Sequence, residues 1–547
     1  MKVKAIRLQN FMGFVDTGWI ELRPITLLFG RNSSGKSAII RAILLLRQSL
    51  RTNNGQPLEF DSHNGANLGS FERMIHGRKI IEEDGRLRKM TFGFRCDIGE
   101  DLLKDLRSPD LTEPFSTCAD LFLSFQWNTD KVELAEVLLQ TPFTVRADHP
   151  EKRTILAADY LGNVSGQPDW FLSSNFYDLH FPYQEFPWPE EPTWVPSLKI
   201  IRLADFAASS SRHELLKKVD RLFVSKNEDS FLPVLAPENR DELRVSQSGK
   251  DHFWITEDRA SHDVTKVLNV YIACSESIRE WLGEGVIRHL GPIRFAPRRS
   301  YLFRDLSRHE WDDTGQAAIH DFARMKLAQS DQGSADRDRV NDWFEHLELG
   351  KELHVEPIRP FSAPDEPAEG FRIEIHEGGP HPDFNLRDVG YGASQVLPVV
   401  LQALFAPPSA FVIVEQPELH LHPEAQAKLA DLFIESVNDT RNDDGRASRF
   451  YLLETHSETL FLRLRVELAR TTACTVVKRF ALIPEDIICH FIERPDRAKV
   501  ISKLEPMLFN KKGEYENEPD GFVEFFGQDF KEILDLENAR SGGIGGL

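Results

Sequence analysis

Two stretches far apart in the chain carry residues whose types and spacing suit phosphate chemistry. The first is Gly30-Arg31-Asn32-Ser33-Ser34-Gly35-Lys36-Ser37-Ala38, of the form GxxxxGKS, set between the apolar run "ITLLF" and the helical run "IIRAILLL". Glycines at this spacing let the backbone wind so that successive N–H groups and the following helix N-terminus face phosphate oxygens. Lys36 then reaches the β and γ oxygens, and the Ser37 hydroxyl joins Mg²⁺. A chance match in a chain of this length is on the order of one in fifty at average residue frequencies, before the flanking elements are counted. The second stretch is "FVIVEQPELHLHPE", residues 411–424. Four apolar residues read as a buried strand, and Glu415 stands at its end, where a carboxylate can hold Mg²⁺ directly or through water. Nucleotide hydrolases often place a second acid next, to take the proton of the attacking water. Here that place holds Gln416.

Other elements must position these groups. "RFYLLETHSET" (449–459) is a third strand, ending in Thr455-His456-Ser457, which puts an imidazole where it could sense a γ-phosphate; taken alone, that histidine reads as structural. "DVGYGASQVLPVVLQALF" (388–405) is a Gly-rich turn opening an apolar helix. Its N-terminus is either another anion site or simply the cap of a core helix. His420 and His422 share a side only in extended chain and have no third ligand nearby, so no zinc site is expected.

The order of these pieces resembles that of the ATP-binding-cassette ATPases, in the group that includes chromosome-maintenance heads and the overcoming-lysogenization-defect (OLD) and Septu-type bacterial defence ATPases. "IRLQNFMGF" (6–14) looks like the family's opening strand, and Gly390, Tyr391, Gly392, Ala393, Ser394 and Gln395 occupy the signature position. "EQPELHLHP" and "ETHSE" resemble the Walker B and histidine-switch segments, and "PDGFVEFFGQDFKEILDL" (519–536) a C-terminal segment of some bacterial members. The resemblance implies an α/β P-loop NTPase of the ATP-binding-cassette type, a split head with a large α+β insertion. It implies ATP and Mg²⁺ as cofactors, bound by residues 30–38 of one head and closed over by residues 390–395 of a second, in a homodimer or larger assembly. Tyr391 stands near the family's serine, so the amides around Gly392 are better candidates than the Ser394 hydroxyl. The glutamine that orients water and metal is Gln48 or Gln126.

By the same resemblance Glu415 is the metal carboxylate and Gln416 orients water without accepting its proton, with Glu418 as a substitute base or His456 as a relay. A positioned general base contributes about 10²–10⁴ in rate, or roughly 3–5.5 kcal/mol of barrier. Slow turnover and a long-lived ATP-bound dimer are therefore expected. Two other accounts of Gln416 stand beside this one: a substitution made to trap ATP, and a variant without kinetic consequence.

A chain of 547 residues with net charge −20 is large enough for several folding units and too acidic to coat nucleic acid along its whole surface. Five scattered cysteines form neither a zinc pattern nor a disulfide framework, and no leader or membrane-spanning run is evident, so a cytoplasmic protein is expected. The expected organisation is an N-terminal lobe (1–140), an insertion (141–350), a C-terminal lobe (351–500) and a tail (501–547) that offers a partner-binding segment. The insertion shows no heptad pattern, which separates it from true chromosome-maintenance arms. Its stretch 169–196 is rich in aromatics and prolines yet has no Lys or Arg, and 212–226 is a helical stretch with a basic face. Arg294, Arg298, Arg299 and Arg304 cluster beside Gly and Pro, where they could meet phosphate or a partner carboxylate. No nuclease signature follows the histidine segment. The function expected is a regulatory ATPase that controls a separate effector, a nuclease, in antiphage defence of the Septu or retron-linked kind. The alternative is a DNA-repair or recombination clamp that grips duplex DNA.

Overall fold

The computed structural model describes residues 2–51, 57–61, 66–81, 85, 87–105, 117–128, 131–140, 170–175, 197–202, 258–303, 312–327, 331–359, 367–378, 382–473, 478–493, 501–517, 519 and 522. The helical stretch 212–226, Arg304 and all but two residues of 519–536 lie outside them, as does 169–196 apart from its first strand. The chain divides into two compact units, one of Met1–Ile20 with Arg41–Gly283 and one of Glu21–Ile40 with Glu284–Leu547.

The first unit is built on an antiparallel sheet of β1 (Val3–Phe11), β2 (Phe14–Asp16), β3 (Ile20–Glu21), β5 (Met90–Asp97), β6 (Cys118–Asn128), β7 (Lys131–Gln140), β8 (Trp170–Asn175) and β9 (Ser197–Arg202). Its order is β2-β1-β5-β6-β7-β9-β8, with β3 on β1, so it continues past residue 140. One face packs under the helix Asp258–Leu282. Phe11, Phe92 and Phe125 meet edge-on at 5.7 and 5.9 Å between ring centroids, the arrangement aromatic quadrupoles favour.

The second unit holds a six-stranded sheet of β4 (Ile25–Gly30), β10 (Ile287–Leu290), β15 (Phe411–Glu415), β16 (Phe450–Thr455), β17 (Ile487–Glu493) and β18 (Lys503–Met507), in the order β10-β15-β16-β4-β17-β18. All neighbours are parallel except β17 and β18. Parallel strands covered on both faces read as continuous apolar runs, and "ITLLFG" and "FVIV" are buried throughout. A smaller sheet of β11 (Tyr301–Leu302), β12 (Glu352–Ile358), β13 (Gly370–His376) and β14 (Phe384–Asn385) lies in the same unit. Helix Tyr391–Phe405, apolar nearly all round, is buried from Ala393 to Leu401. Helix Pro423–Asn438 starts on a proline, which needs no N–H there. Ser457 caps helix Glu458–Thr472, its Oγ accepting from the Leu460 N–H at 3.0 Å.

The central sheet thus interleaves a strand from near residue 30 with strands from beyond residue 280, which is the split head expected of the ATP-binding-cassette type of α/β P-loop NTPase. The strands end on one side at Gly30, Glu415 and Thr455, and parallel α/β sheets bind ligands beyond such carboxyl ends.

His490 on β17 gives this sheet an acid-sensitive point. It is fully buried, its Nε2 donates to the Glu21 carbonyl at 2.8 Å, and burial lowers its pKa from 6.5 to about 4. The unfolded chain therefore takes up the proton first, and stability is lost as pH falls from about 6.5 through about 4. The shift corresponds to about 3 kcal/mol below that window. His490→Gln keeps a donor for Glu21, so it is expected to flatten this part of the dependence; urea midpoints at pH 4.5 and 7.5 check it.

Candidate active site

β4 ends on Gly30, whose φ is +146° and whose Cα lies so close to β17 that a Cβ would sit 2.1 Å from the Ile492 carbonyl oxygen. Only glycine fits this close approach. Ser33 (φ +60°) and Gly35 (φ +118°) then wind the chain into helix Lys36–Arg51. Lys36 is 3% exposed, and its Nζ donates to the carbonyls of Gly30 (3.0 Å) and Arg31 (2.8 Å), bending over its own loop. Burial pushes it down to about 8, opposed by the charges of Glu454 and Glu418. The Ser37 hydroxyl donates to the Glu454 carboxylate, 3.1 and 3.0 Å from its two oxygens.

Glu415 and Glu454 are register partners at the ends of β15 and β16. Burial, and then the charge of Glu415, pushes the Glu454 carboxyl up to about 7, against Lys36 and the Ser37 bond. Glu415 is held from the other side by β10, through a 2.8 Å bond between its Oε1 and His289 Nε2. Arg294, 4% exposed, donates through Nη2 to the carbonyls of Glu415 (2.9 Å) and Gln416 (3.2 Å). Gln416 has a left-handed backbone (φ +48°), and its N–H donates to the Glu454 carbonyl at 2.7 Å. Glu418 turns inward past Pro417, and its Oε1 accepts the His456 N–H at 2.8 Å. The His456 imidazole bonds the Gly30 backbone, and burial together with the Lys36 charge lowers its pKa to about 4.

Lys36, Ser37, Glu415, Gln416 and His456 therefore converge around one loop. Three further groups complete the cluster and were not foreseen from sequence in this place: Glu454, His289 and Arg294. Glu454 had a readable signal, because "FYLLE" repeats the pattern of "FVIVE", four apolar residues and then an acid. The Arg cluster does not form one surface: Arg294 is buried among the acids, whereas the exposed Arg299 forks onto Asp388 with two 2.8 Å bonds.

The first turn of helix Tyr391–Phe405 packs elsewhere in the unit. Ser394, 1% exposed, donates its hydroxyl back to the Tyr391 carbonyl, and Gln395 donates to the Phe295 carbonyl at 3.2 Å. A Cβ on Gly392 would meet the His420 carbonyl oxygen at 3.1 Å, and the exposed Tyr391 ring faces that of His420. Gly390 caps this helix without a side-chain bond, which leaves its first N–H groups for an external acceptor. His422 pairs with Glu348 at 3.4 Å. In the first unit Gln48 donates to the Glu59 carbonyl and accepts the Ala66 N–H, and Gln126 lies buried on β6.

The hydroxyl of Ser37 and the carboxylates of Glu415 and Glu454 form an all-oxygen donor set, which fits Mg²⁺. The loop backbone and Lys36 fit a polyphosphate.

Residues 219–463 match the family model described as "AAA domain, putative AbiEii toxin, Type IV TA system", and residues 1–115 match the model "AAA ATPase domain". The chain carries AAA-type ATPase domains. Those domains bring ATP use and ATPase activity in general. No curated protein matches the chain in sequence. Among solved structures it is similar to an Smc head bound to the C-terminal winged-helix domain of ScpA, at 11% identity over 93% of this chain and 98% of that one, TM-score 0.36. It is also similar to an Smc head with an extended coiled coil bound to the C-terminal domain of ScpA derived from Pyrococcus furiosus (12% identity, 98% and 99% covered, TM-score 0.36). A third likeness is to the SMC head domain from Thermotoga maritima (10% identity, 92% and 99% covered, TM-score 0.31). Among the described residues no helix is long and apolar enough to cross a membrane.

Proposed function

We propose that this chain is a slow, regulatory ATPase in which residues 30–38 bind ATP, Ser37 and Glu415 hold Mg²⁺, and Gln416 orients the attacking water without taking its proton. The observation that carries this reading is the convergence of the loop lysine, the Ser37 hydroxyl and two strand-end acids at the edge of one parallel sheet. His456, neutral at pH 7 and bonded to Gly30, is placed to report what occupies the loop. Mg²⁺, when bound, neutralises the β and γ phosphates. In the proposed assembly the uncapped N-terminus of helix Tyr391–Phe405, with Gly390, Tyr391, Gly392 and Ala393 at its tip, closes over the γ-phosphate held by a second copy. The buried Ser394 and Gln395 side chains support the helix from behind.

With its general base replaced by an amide, the ATP-bound assembly persists, which suits a protein that restrains a separate effector until a cue arrives. We assign that effector to the nuclease class and the system to antiphage defence of the Septu or retron-linked kind. The resemblance of the motifs supports this. A clamp on duplex DNA is less well supported, since the Arg cluster is partly buried and partly paired.

Lys36→Ala removes the ammonium meant for the phosphates. Hydrogen bonds to charged groups contribute about 1.5–3 kcal/mol each, so ATP affinity should fall by at least about tenfold. Calorimetric titration with ATP, alongside mass measurement with and without nucleotide, tests this. Native-like ATP binding by the variant would show that residues 30–38 are not the nucleotide loop.

A further inference from the structure

We propose that Glu454 is a second carboxylate ligand of the divalent cation, and that Glu415, Glu454 and Ser37 together form a site able to take up Mg²⁺ or Mn²⁺ before nucleotide arrives. The inference rests on the reading of residues 30–38 as the nucleotide loop, and it adds a ligand which that reading does not contain.

β15 and β16 are parallel neighbours in register, so Glu415 and Glu454 leave the sheet side by side, within hydrogen-bond reach of each other. Two ionised carboxylates so placed repel each other, and the repulsion is relieved either by a proton shared between them or by a cation that displaces it. Ser37 fixes which face of the pair is used, because its hydroxyl bonds both oxygens of Glu454. A residue that only needed an acceptor for Ser37 could be an amide, whereas a carboxylate adds a full charge at the position where the hydroxyl is to meet a cation.

Secondly, the pair is supported from the β10 side. His289 Nε2 holds Glu415 Oε1 at 2.8 Å from the side opposite Glu454, the carboxylate–imidazole arrangement that orients metal ligands. Thirdly, the hydrogen bonds of the nearby cations go to carbonyls rather than to the two carboxylates. Lys36 Nζ is bonded to the carbonyls of Gly30 and Arg31, and Arg294 Nη2 to those of Glu415 and Gln416. Lys36 and Arg294 face three carboxylates, Glu415, Glu418 and Glu454, so the pocket holds one acid more than these two cations balance.

Mn²⁺ is the probe, followed by its electron paramagnetic resonance signal on the full chain without nucleotide. The native chain is expected to bind about one Mn²⁺, displaceable by Mg²⁺. Glu454→Gln, which keeps an acceptor for Ser37 and nearly the same shape, should weaken that binding by at least about tenfold, and Glu415→Gln similarly. Lys36→Ala should bind Mn²⁺ as tightly as the native chain or several-fold more tightly, since it removes a cation from the neighbourhood of Glu454. The same variant loses ATP, so the two readings fail separately. If the native chain binds ATP but no Mn²⁺ without it, or if Glu454→Gln binds Mn²⁺ like the native chain at equal unfolding stability, the assignment of Glu454 is overturned. If instead Lys36→Ala binds ATP normally while the Mn²⁺ results hold, the cation site stands and the nucleotide loop must be sought elsewhere.

Discussion

Replacing Gln416 by Glu is expected to raise steady-state ATP turnover by about 10²–10⁴-fold, the range that a positioned general base supplies. The substitution leaves the backbone alone: Gln416 stays fixed by its N–H on the Glu454 carbonyl and its own carbonyl on Arg294. What changes is the charge. The new carboxyl would share its surroundings with Glu415, Glu418 and Glu454, and like charges raise the pKa of an added acid. A raised pKa makes it a stronger base at neutral pH, so crowding favours the effect as long as the carboxyl still ionises. Phosphate release under multiple turnover checks this, together with the mass of the ATP-bound species, which should shift toward the nucleotide-free form as hydrolysis quickens. Brisk turnover by the native chain, unchanged in the variant, would mean that another group is the base. Glu418 would be the first to test, because burial raises its pKa and one of its oxygens is unbonded.

The loop and the strands were legible in sequence because each obeys a local rule. Glycine spacing, the lysine and serine that follow, and four apolar residues before an acid all report on single segments. What was not legible depends on which segments become neighbours. Glu454 becomes a partner of Glu415 only because β16 lies between β15 and β4, a fact of sheet order that no window of sequence contains. Arg294 failed for a related reason. Beside three other arginines, Gly and Pro, it reads as surface charge, yet β10 adds to the edge of the sheet and brings the chain after it onto the ends of β15. The direction of Glu418 past Pro417 was likewise set by a turn, in which the Leu419 N–H donates to the Gln416 carbonyl at 3.3 Å and Leu421 to that of Glu418 at 3.2 Å. Ser394 shows the opposite limit: its type suits a phosphate contact, and its position on the helix buries it.

Arg294→Met should lower stability by about 3–5 kcal/mol and turnover with it, since removing one member of a buried charged network strands the others. Burial lowers the Arg294 pKa to about 10, with Glu418 and Glu415 opposing the shift, so it remains a cation at neutral pH and is the counter-charge for both acids. Its loss leaves two carbonyls without their donor and the buried Glu418 with Lys36 as its remaining counter-charge. Arg294→Lys keeps the charge but not the planar guanidinium whose Nη2 reaches two carbonyls at once, so an intermediate loss is expected. The double variant Arg294→Met with Glu418→Gln should recover part of the stability, because the stranded carboxylate is gone; urea unfolding of the four proteins of this cycle measures the coupling. The effect on turnover should not recover with it. A left-handed backbone at a non-glycine residue costs of order 1–3 kcal/mol and persists only where its surroundings over-determine it, and at Gln416 those surroundings are the Glu454 carbonyl and the Arg294 guanidinium. Without Arg294 the peptide that carries Gln416 is free to relax, and the gain from Gln416→Glu should shrink in the Arg294→Met background. Equal gains in both backgrounds would show that Arg294 holds charge at this site but not the geometry of residue 416.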